Sequence, residues 1–463
     1  MYRRTKIVST LGPATDEPGV LEKLVLAGVN VVRMNFSHGS PEDHMGRANK
    51  LREICEKHNR YVAILGDLQG PKIRVARFAE GPVTLTVGDK FVLDAELERD
   101  AGNKNQVGID YKELPKDVNP GDRLLLDDGR VILTVDSVDG SCVNTIVEVG
   151  GKLSNNKGIN REGGGLTAPA LTDKDRADIH TAVKIGVDYL AVSFPRTAED
   201  MNLARQLVGE AGGKDISLVA KVERAESVSD DKILDDLIIA SDAVMVARGD
   251  LGVEIGDAQL IAVQKHIIQR SRELNRTVIT ATQMMETMIT SPLPTRAEVF
   301  DVAVQTVEAM VRVILGAEKH PQAETTPSTP EGGYDAIDQS VAIATMYIAH
   351  EMADVTAIAA MTESGATAML MSRFGSRLPI FAFSRNPETL RKVALYRGVE
   401  PVLFDSNNIP HAETNARAVE YLLEHDIVKE GDMLLLTKGD YANVHGGTNL
   451  MKIMRVGNPI PKS

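Results

Sequence analysis

The chain has 463 residues, 43% of them hydrophobic and 25% charged, with a formal net charge of −13. A chain of this length holds several domains or a barrel with additions, and its core needs no covalent staples. The acidic balance argues against general binding to nucleic acid or to an anionic membrane, while leaving room for a local cationic site for a small anion.

Cys55 and Cys142 lie far apart without a motif and read as free thiols in a reducing compartment. The opening MYRRTKIVSTLG enters a strand-like run without a signal-peptide core, and no apolar run is long enough to span a bilayer. A cytoplasmic protein is expected.

The first part alternates strands and helices. Strands are expected at Thr5–Thr10, Asn30–Met34 and Tyr61–Leu65, with helices over Asp16–Ala27 and Pro41–Lys57. From Val75 to about Gly165 the rhythm changes to short alternating runs broken by Gly, Asp and Pro, the pattern of a small all-β domain. Asp127-Asp128-Gly129 is a turn signal within it.

The βα rhythm resumes at Thr172. Helices are expected over Asp173–Ile185, Ala198–Glu210 and Gly256–Leu274, and strands at Tyr189–Ser193, Ile216–Val222, Ala243–Val246 and Thr277–Ala281. Seven parallel strand units suggest a (β/α)8 barrel with the β domain inserted after the third. The eighth strand is absent from the sequence: Thr295 and Glu298 form a capping-box pattern, and Ala297–His320 then reads as one helix. A linker follows at 321–333, then an α/β domain with strands at Val355–Met361, Pro379–Phe383, Pro401–Phe404 and Met433–Thr437. The expected organisation is barrel over 1–70 and 168–325, inserted β domain over 71–167, and a C-terminal α/β domain over 334–463.

Charges at the carboxyl ends of parallel strands sit where such folds place their chemistry. Lys221 and Glu223 close one strand, Arg248 and Asp250 the next. Glu223 and Asp250 are candidate ligands for Mg²⁺ or Mn²⁺, which take oxygen ligands, or else members of surface salt bridges. Lys221 either neutralises Glu223 or stabilises an enolate, and the two roles are compatible. Arg33, Asn35 and Ser37 form a polar set that suits phosphate and a cation, or a capped loop. Gly249 and Gly252 flank Asp250 and let backbone N–H groups approach an anion. Thr280 and Thr282 close the seventh strand. Met284, Met285 and Met288 read as core packing. Thr362, Ser364, Gly365 and Thr367 form a strand–turn–helix phosphate cradle in the last domain, or ordinary helix capping.

Six motifs in order make the chain resemble pyruvate kinase, of the bacterial type without a further C-terminal appendage. They are TKIVSTLGPA (Thr5–Ala14), NVVRMNFSHG (Asn30–Gly39), GDLQGPKIR (Gly66–Arg74), AKVERAE (Ala220–Glu226), MVARGDLGVE (Met245–Glu254) and TATQMMETM (Thr280–Met288). The resemblance implies a glycolytic phosphotransferase that moves the phosphoryl group of phosphoenolpyruvate to ADP. It implies a divalent cation on Glu223 and Asp250, Lys221 on the phosphoryl group and enolate, and Arg33 on phosphate. Thr282 would lie beside the substrate carboxylate and the proton path, with Gly249 and Asp250 receiving that carboxylate. Arg74 and Lys174, with Asn35, would face the nucleotide and its phosphates. It also implies a homotetramer regulated by a sugar phosphate or nucleotide at Thr362, Ser364, Gly365 and Thr367, with Gly446–Asn449 closing over it. Arg248 is expected at a subunit or domain contact.

Two departures stand out. Many relatives need K⁺ at positions matching Asn35, Ser37, Asp67 and the Leu68 carbonyl, and carry Glu where this chain has Lys72. An ammonium there supplies the same single charge, so K⁺ is expected not to be required. Roughly twenty residues, about one strand and its loop, are also missing after Ala303. The preferred explanation is a stretch numbered over, which would separate Ala303 from Val304 by far more than the ~3.8 Å of bonded neighbours. The other is a true deletion, which would put turnover in question. The alternatives to the kinase are another metal-dependent phosphoenolpyruvate or pyruvate barrel enzyme, and an inactive sugar-phosphate sensor.

Overall fold

Seven parallel strands run side by side in chain order, and the remaining architecture is arranged around their two ends. The computed structural model describes residues 2–282, 284, 303–319, 336–406, 409–410, 413–440 and 446–458. The strands are β1 (Val8–Leu11), β2 (Val31–Asn35), β3 (Ala63–Asp67), β4 (Tyr189–Val192), β5 (Ser217–Val222), β6 (Ala243–Ala247) and β7 (Thr277–Ala281). The apolar runs of β2 to β6 are buried on both faces, as parallel strands covered by helices require, while the end strands β1 and β7 are only partly buried. One core lies between the curled sheet and its outer helices, with Val32, Ile64, Leu190, Leu218 and Val244 facing outward into it. A second fills the inside of the curl with Val31, Leu65, Tyr189, Val219 and Met245.

The helices start where local chemistry says they should. Ser40 caps Pro41–Lys57 by accepting the Asp43 N–H, and Asp43 reciprocates. Thr172 and Asp175 do the same for Asp173–Ile185, which ends on Gly186 in the left-handed region. The expected single helix over Asp16–Ala27 is instead two, Pro13–Asp16 and Val20–Leu26, because Pro18-Gly19 breaks it. The expected helix from Gly256 is preceded by a separate one, Arg248–Ile255, which begins directly at the end of β6.

No eighth strand joins β7 to β1 among the described residues. Ala303 and Val304 are consecutive residues of one helix, Ala303–Glu318, so the explanation by renumbering does not hold and the shortening belongs to the chain. That helix belongs to the outer layer on the β1 side. It packs on Val20–Leu26, and its Glu318 carboxylate accepts the N–H groups of Arg4 (3.0 Å) and Thr5 (2.7 Å) just before β1. The capping pattern at Thr295 and Glu298, the linker 321–333, Met285 and Met288 lie outside the described residues.

The insertion after β3 is a six-stranded, mainly antiparallel sheet with a two-stranded ribbon, closed on its own core of Phe91, Leu93, Leu124, Leu133 and Val143. The longest helix within it is one turn, Leu114–Asp117. The C-terminal sheet contains β8 (Val355–Met361), β9 (Ile380–Ser384), β10 (Val399–Leu403), β11 (Met433–Gly439) and β12 (Thr448–Arg455). Its order is β10-β9-β8-β11-β12, with only the last pair antiparallel. The sequence reading missed β12, whose alternation is obscured by Lys452 and Arg455.

The last domain plugs the amino-terminal end of the seven-stranded curl. Leu395 and Tyr396, just past the helix Pro387–Val393, pack into the inner core. The Tyr189 hydroxyl donates to the Lys392 carbonyl at 2.8 Å, and Arg391 pairs with Asp188 at 2.7 Å. Leu395→Ala should therefore lower the unfolding free energy by about 2–5 kcal/mol, the usual result of emptying a buried leucine site. An earlier denaturant midpoint would register this, and an unchanged one would show that the plug contributes no packing.

Candidate active site

At the opposite, carboxyl-terminal end, five consecutive strands deliver charged or hydroxyl side chains to one buried network. Arg33, on β2, reaches the fully buried Asp67 at the end of β3 with Nε (2.6 Å) and Nη2 (2.5 Å). Arg33 Nη1 also donates to Thr10 Oγ1 at 3.1 Å. The other Asp67 oxygen lies 3.3 Å from the Lys221 ammonium. Lys221, on β5, continues to Glu223 Oε1 at 3.0 Å and donates to Ser193 Oγ at 2.7 Å. Lys221 and Glu223, two residues apart, thus point the same way as their spacing implies. The second Glu223 oxygen accepts the Phe194 N–H at 2.9 Å.

Asp250 lies in the first turn of Arg248–Ile255 and pairs with Lys72 at 2.9 Å. Burial pushes the Glu223 carboxyl up from its usual range, Lys221 opposes that, and the Asp250 charge pushes it up again. Burial alone would lower the Lys221 ammonium, but Asp67 and Glu223 outweigh it, so its net direction is upward and it stays charged.

Two residues here adopt backbone conformations that cost energy. Phe194 (φ 57°) and the β-branched Thr282 (φ 68°) are both in the left-handed region, immediately after β4 and β7. The twist at Phe194 aims its N–H at Glu223. Thr282 is held by Gly249, whose N–H donates to Thr282 Oγ1 at 2.8 Å, and by Arg248, which donates to the Ala281 and Thr282 carbonyls. Arg248 is therefore a clamp on the end of β7 within the curl. Its side chain follows the strand-to-helix turn back across the neighbouring strand.

The other expected site residues are spread around this network. The Asn35 Oδ1 accepts the Ser37 N–H at 3.1 Å, which closes the loop after β2. Lys174 bonds the Phe36 carbonyl and Asp178, both at 2.6 Å. Arg74 stands on the inserted domain, bonded to the Asn156 carbonyl at 3.0 Å. In the C-terminal domain, Thr362 Oγ1 accepts the Gly365 N–H at 2.9 Å and Ser364 Oγ the Ala366 N–H at 3.4 Å. Thr367 meets Thr448 of the Gly446–Asn449 segment at 2.7 Å. The sequence reading missed Ser193 and Phe194. The rule that singled out Lys221 and Asp250, polar groups at barrel-strand ends, applied to Ser193 equally.

Comparison with known proteins identifies the family. The family model described as "Pyruvate kinase, barrel domain" matches residues 2–323, and "Pyruvate kinase, alpha/beta domain" matches 339–454. The chain belongs to the pyruvate kinase family. It is 57% identical to pyruvate kinase II of Salmonella typhimurium, covering 98% of this chain and 99% of that one. It is 55% identical to a pyruvate kinase of Haemophilus influenzae, with 94% and 96% covered. A Buchnera aphidicola pyruvate kinase (from Acyrthosiphon pisum) is 49% identical over 98% and 99% of the two chains. The Salmonella alignment spans 478 positions, more than the 463 residues of this chain, as an internal shortening requires. The reaction is the transfer of the phosphoryl group of phosphoenolpyruvate to ADP, yielding pyruvate and ATP in glycolysis. Neither the inactive sensor nor another barrel enzyme is favoured.

Pyruvate kinases depend on a divalent metal, and the donor set here fits one. Glu223 and Asp250 offer hard oxygen donors, and the Asp250 charge adds to the cost of ionising the buried Glu223, a cost that a bound dication would offset. Among the described residues there is no group of three or more His, Cys, Asp or Glu able to hold a metal. Glu223 and Asp250 would hold such an ion as Mg²⁺ is usually held, by one or two carboxylates with water and substrate oxygens supplying the rest.

A third carboxylate marks where the inserted domain joins the barrel. Glu254, 1% exposed, accepts the Ala225 N–H (2.8 Å) and the Asn160 amide (3.2 Å) and lies 3.4 Å from Arg224. Burial pushes it up to about 7, with Arg224 opposing. The folded form thus holds this proton more tightly than the unfolded one. The resulting stability is present below about pH 4.5 and is lost as pH rises through about 7. The loss should be on the order of 3 kcal/mol. Glu254→Gln removes the titratable group while keeping the side-chain size and one of its two acceptor oxygens. Its unfolding midpoint should stay flat between about pH 5 and 8, where the parent declines; parallel curves would refute the assignment.

Proposed function

We propose that the phosphoryl transfer is carried out by the network at the carboxyl ends of β2 to β6, with Glu223 and Asp250 holding Mg²⁺ or Mn²⁺. The observation that carries this reading is the unbroken run of contacts from Arg33 through Asp67 and Lys221 to Glu223, buried beside Asp250. Phosphoryl transfer asks a protein for positioning and charge neutralisation, with little covalent chemistry. The metal, when bound, supplies Lewis-acid neutralisation of the substrate oxygens. Arg33 binds the phosphate of phosphoenolpyruvate. Lys221 neutralises charge on the phosphoryl group as it leaves and on the enolate that remains. The Gly249–Asp250 turn receives the substrate carboxylate. Arg74, Lys174 and Asn35 face ADP and its phosphates, with the inserted domain (71–167) as a lid over the barrel segments 1–70 and 168–325.

The enolate must then be protonated at carbon. Thr282 is the proposed relay, through a water, since its hydroxyl stands between the Gly249 N–H and the Ala281 carbonyl (2.8 and 2.7 Å). Replacing Glu223 with Gln or Asp250 with Asn should cut pyruvate formation from phosphoenolpyruvate and ADP by roughly 10²–10³-fold or more in a coupled assay with Mg²⁺. Sugar-phosphate binding to the same variants should be unchanged. Full turnover by either variant would remove the carboxylate pair from the site.

Lys72 is proposed to take the place of K⁺. Its ammonium already lies inside the network, on Asp250, while the Leu68 carbonyl is engaged by Ser193. In a tetramethylammonium buffer, added KCl should change kcat by less than about twofold; a large stimulation would show that Asn35, Ser37, Asp67 and Leu68 still serve a monovalent ion. Thr362, Ser364, Gly365 and Thr367 are proposed to hold the phosphate of a sugar-phosphate or nucleotide effector in a C-terminal domain over 334–463, in a cytoplasmic homotetramer. In support, Gly365 cannot carry a side chain: φ is +85° and a Cβ would come within 2.7 Å of Val393. No helix among the described residues is long and apolar enough to cross a membrane.

A further inference from the structure

Lys221 is held by three groups, and only one of them is neutral. The lysine ammonium carries three hydrogens and no lone pair. Its partners are Asp67 Oδ1 at 3.3 Å, Glu223 Oε1 at 3.0 Å and Ser193 Oγ at 2.7 Å. Both carboxylates have further partners, Asp67 in Arg33 and Glu223 in the Phe194 N–H. Attraction between charges depends weakly on direction, so two carboxylates by themselves leave the lysine tip room to swing.

The Ser193 hydroxyl has no such freedom. It lies 2.7 Å from the Leu68 carbonyl, which can only accept, and 2.7 Å from the ammonium, which can only donate. Its single hydrogen therefore points to Leu68 and its lone pair to Lys221, with Asp67 Oδ1 a longer neighbour at 3.4 Å. The side chain is 1% exposed. Gly70 walls it in, since a Cβ at Gly70 would fall 2.7 Å from the Ser193 Cβ. Gly70 is itself anchored through its N–H to the buried Asp175 at 3.0 Å.

We propose that Ser193 is a positioning residue that aims the Lys221 ammonium at the transferring phosphoryl group without touching substrate. This rests on the role given to Lys221 above. A misplacement of about 1 Å in such a group lowers turnover by up to about a hundredfold. Ser193→Ala should therefore reduce kcat roughly 10–100-fold and leave the KM for phosphoenolpyruvate within about threefold, because the lost interaction matters only in the transition state. If Ser193 acts through Lys221, the same change made in a Lys221→Arg background should cost less than about threefold.

Turnover by Ser193→Ala within twofold of the parent would overturn the proposal. So would an equal loss in both backgrounds, which is what a general packing defect gives. Should Ser193→Ala fail to fold, Ser193→Cys keeps the volume with a much weaker acceptor; it is expected to be slowed, and full activity would be equally fatal. Lys221→Ala, assayed in parallel, separates the two ideas. If it turns over normally, the role of Lys221 falls and the proposal with it. If it is inactive while Ser193→Ala is not slowed, only the proposal falls.

Discussion

A lysine ammonium held among two buried carboxylates and a buried hydroxyl is the constraint on which the barrel mouth is built. Charges removed from water are tolerated only when paired and hydrogen-bonded, and each unmet contact there is expensive. Lys221 therefore needs β3, β4 and β5 in register to supply Asp67, Ser193 and Glu223 together. Asp67 in turn needs Arg33 from β2, and Asp250 at the end of β6 needs Lys72 from the loop after β3. The backbone twists at Phe194 and Thr282 persist because several independent bonds fix each of them.

The other parts of the molecule act on this mouth from its margins. The inserted domain meets the barrel at Glu254 and Asn160, beside Arg224, the residue immediately after Glu223. The C-terminal domain grips the far end of β4 through Tyr189 and Asp188, while Ser193 follows the near end of the same strand. The cradle at Thr362–Thr367 touches that grip through the segment following it, since a Cβ on Gly365 would meet Val393 and Tyr396.

Among the described residues the network lies away from the open side of the sheet between β7 and β1. The network uses charged residues of β2, β3 and β5, a hydroxyl after β4, and the partly exposed Asp250 on the helix after β6. The end strands contribute one group each: Thr10 of β1 supports Arg33, and Thr282, the proposed relay, follows β7 and meets Gly249. The helix Ala303–Glu318 still packs on Val20–Leu26, and Glu318 still secures the segment before β1.

Much of the fold and of the site was legible in the sequence because the signals are local. Continuous apolar runs ending in charge gave β5 and β6 together with Lys221, Glu223 and Asp250; Ser40 and Thr172 marked helix starts; the loss of helical periodicity after Val75 marked the inserted domain. Those features depend on neighbours along the chain. Tertiary structure alone decided the rest. That Asp67 joins Arg33 to Lys221, that Arg248 clamps β7, and that Ser193 faces Lys221 all depend on strand register. Strand register is set by how side chains far apart in sequence pack across the sheet, and a one-residue slip would turn each of these groups to the opposite face.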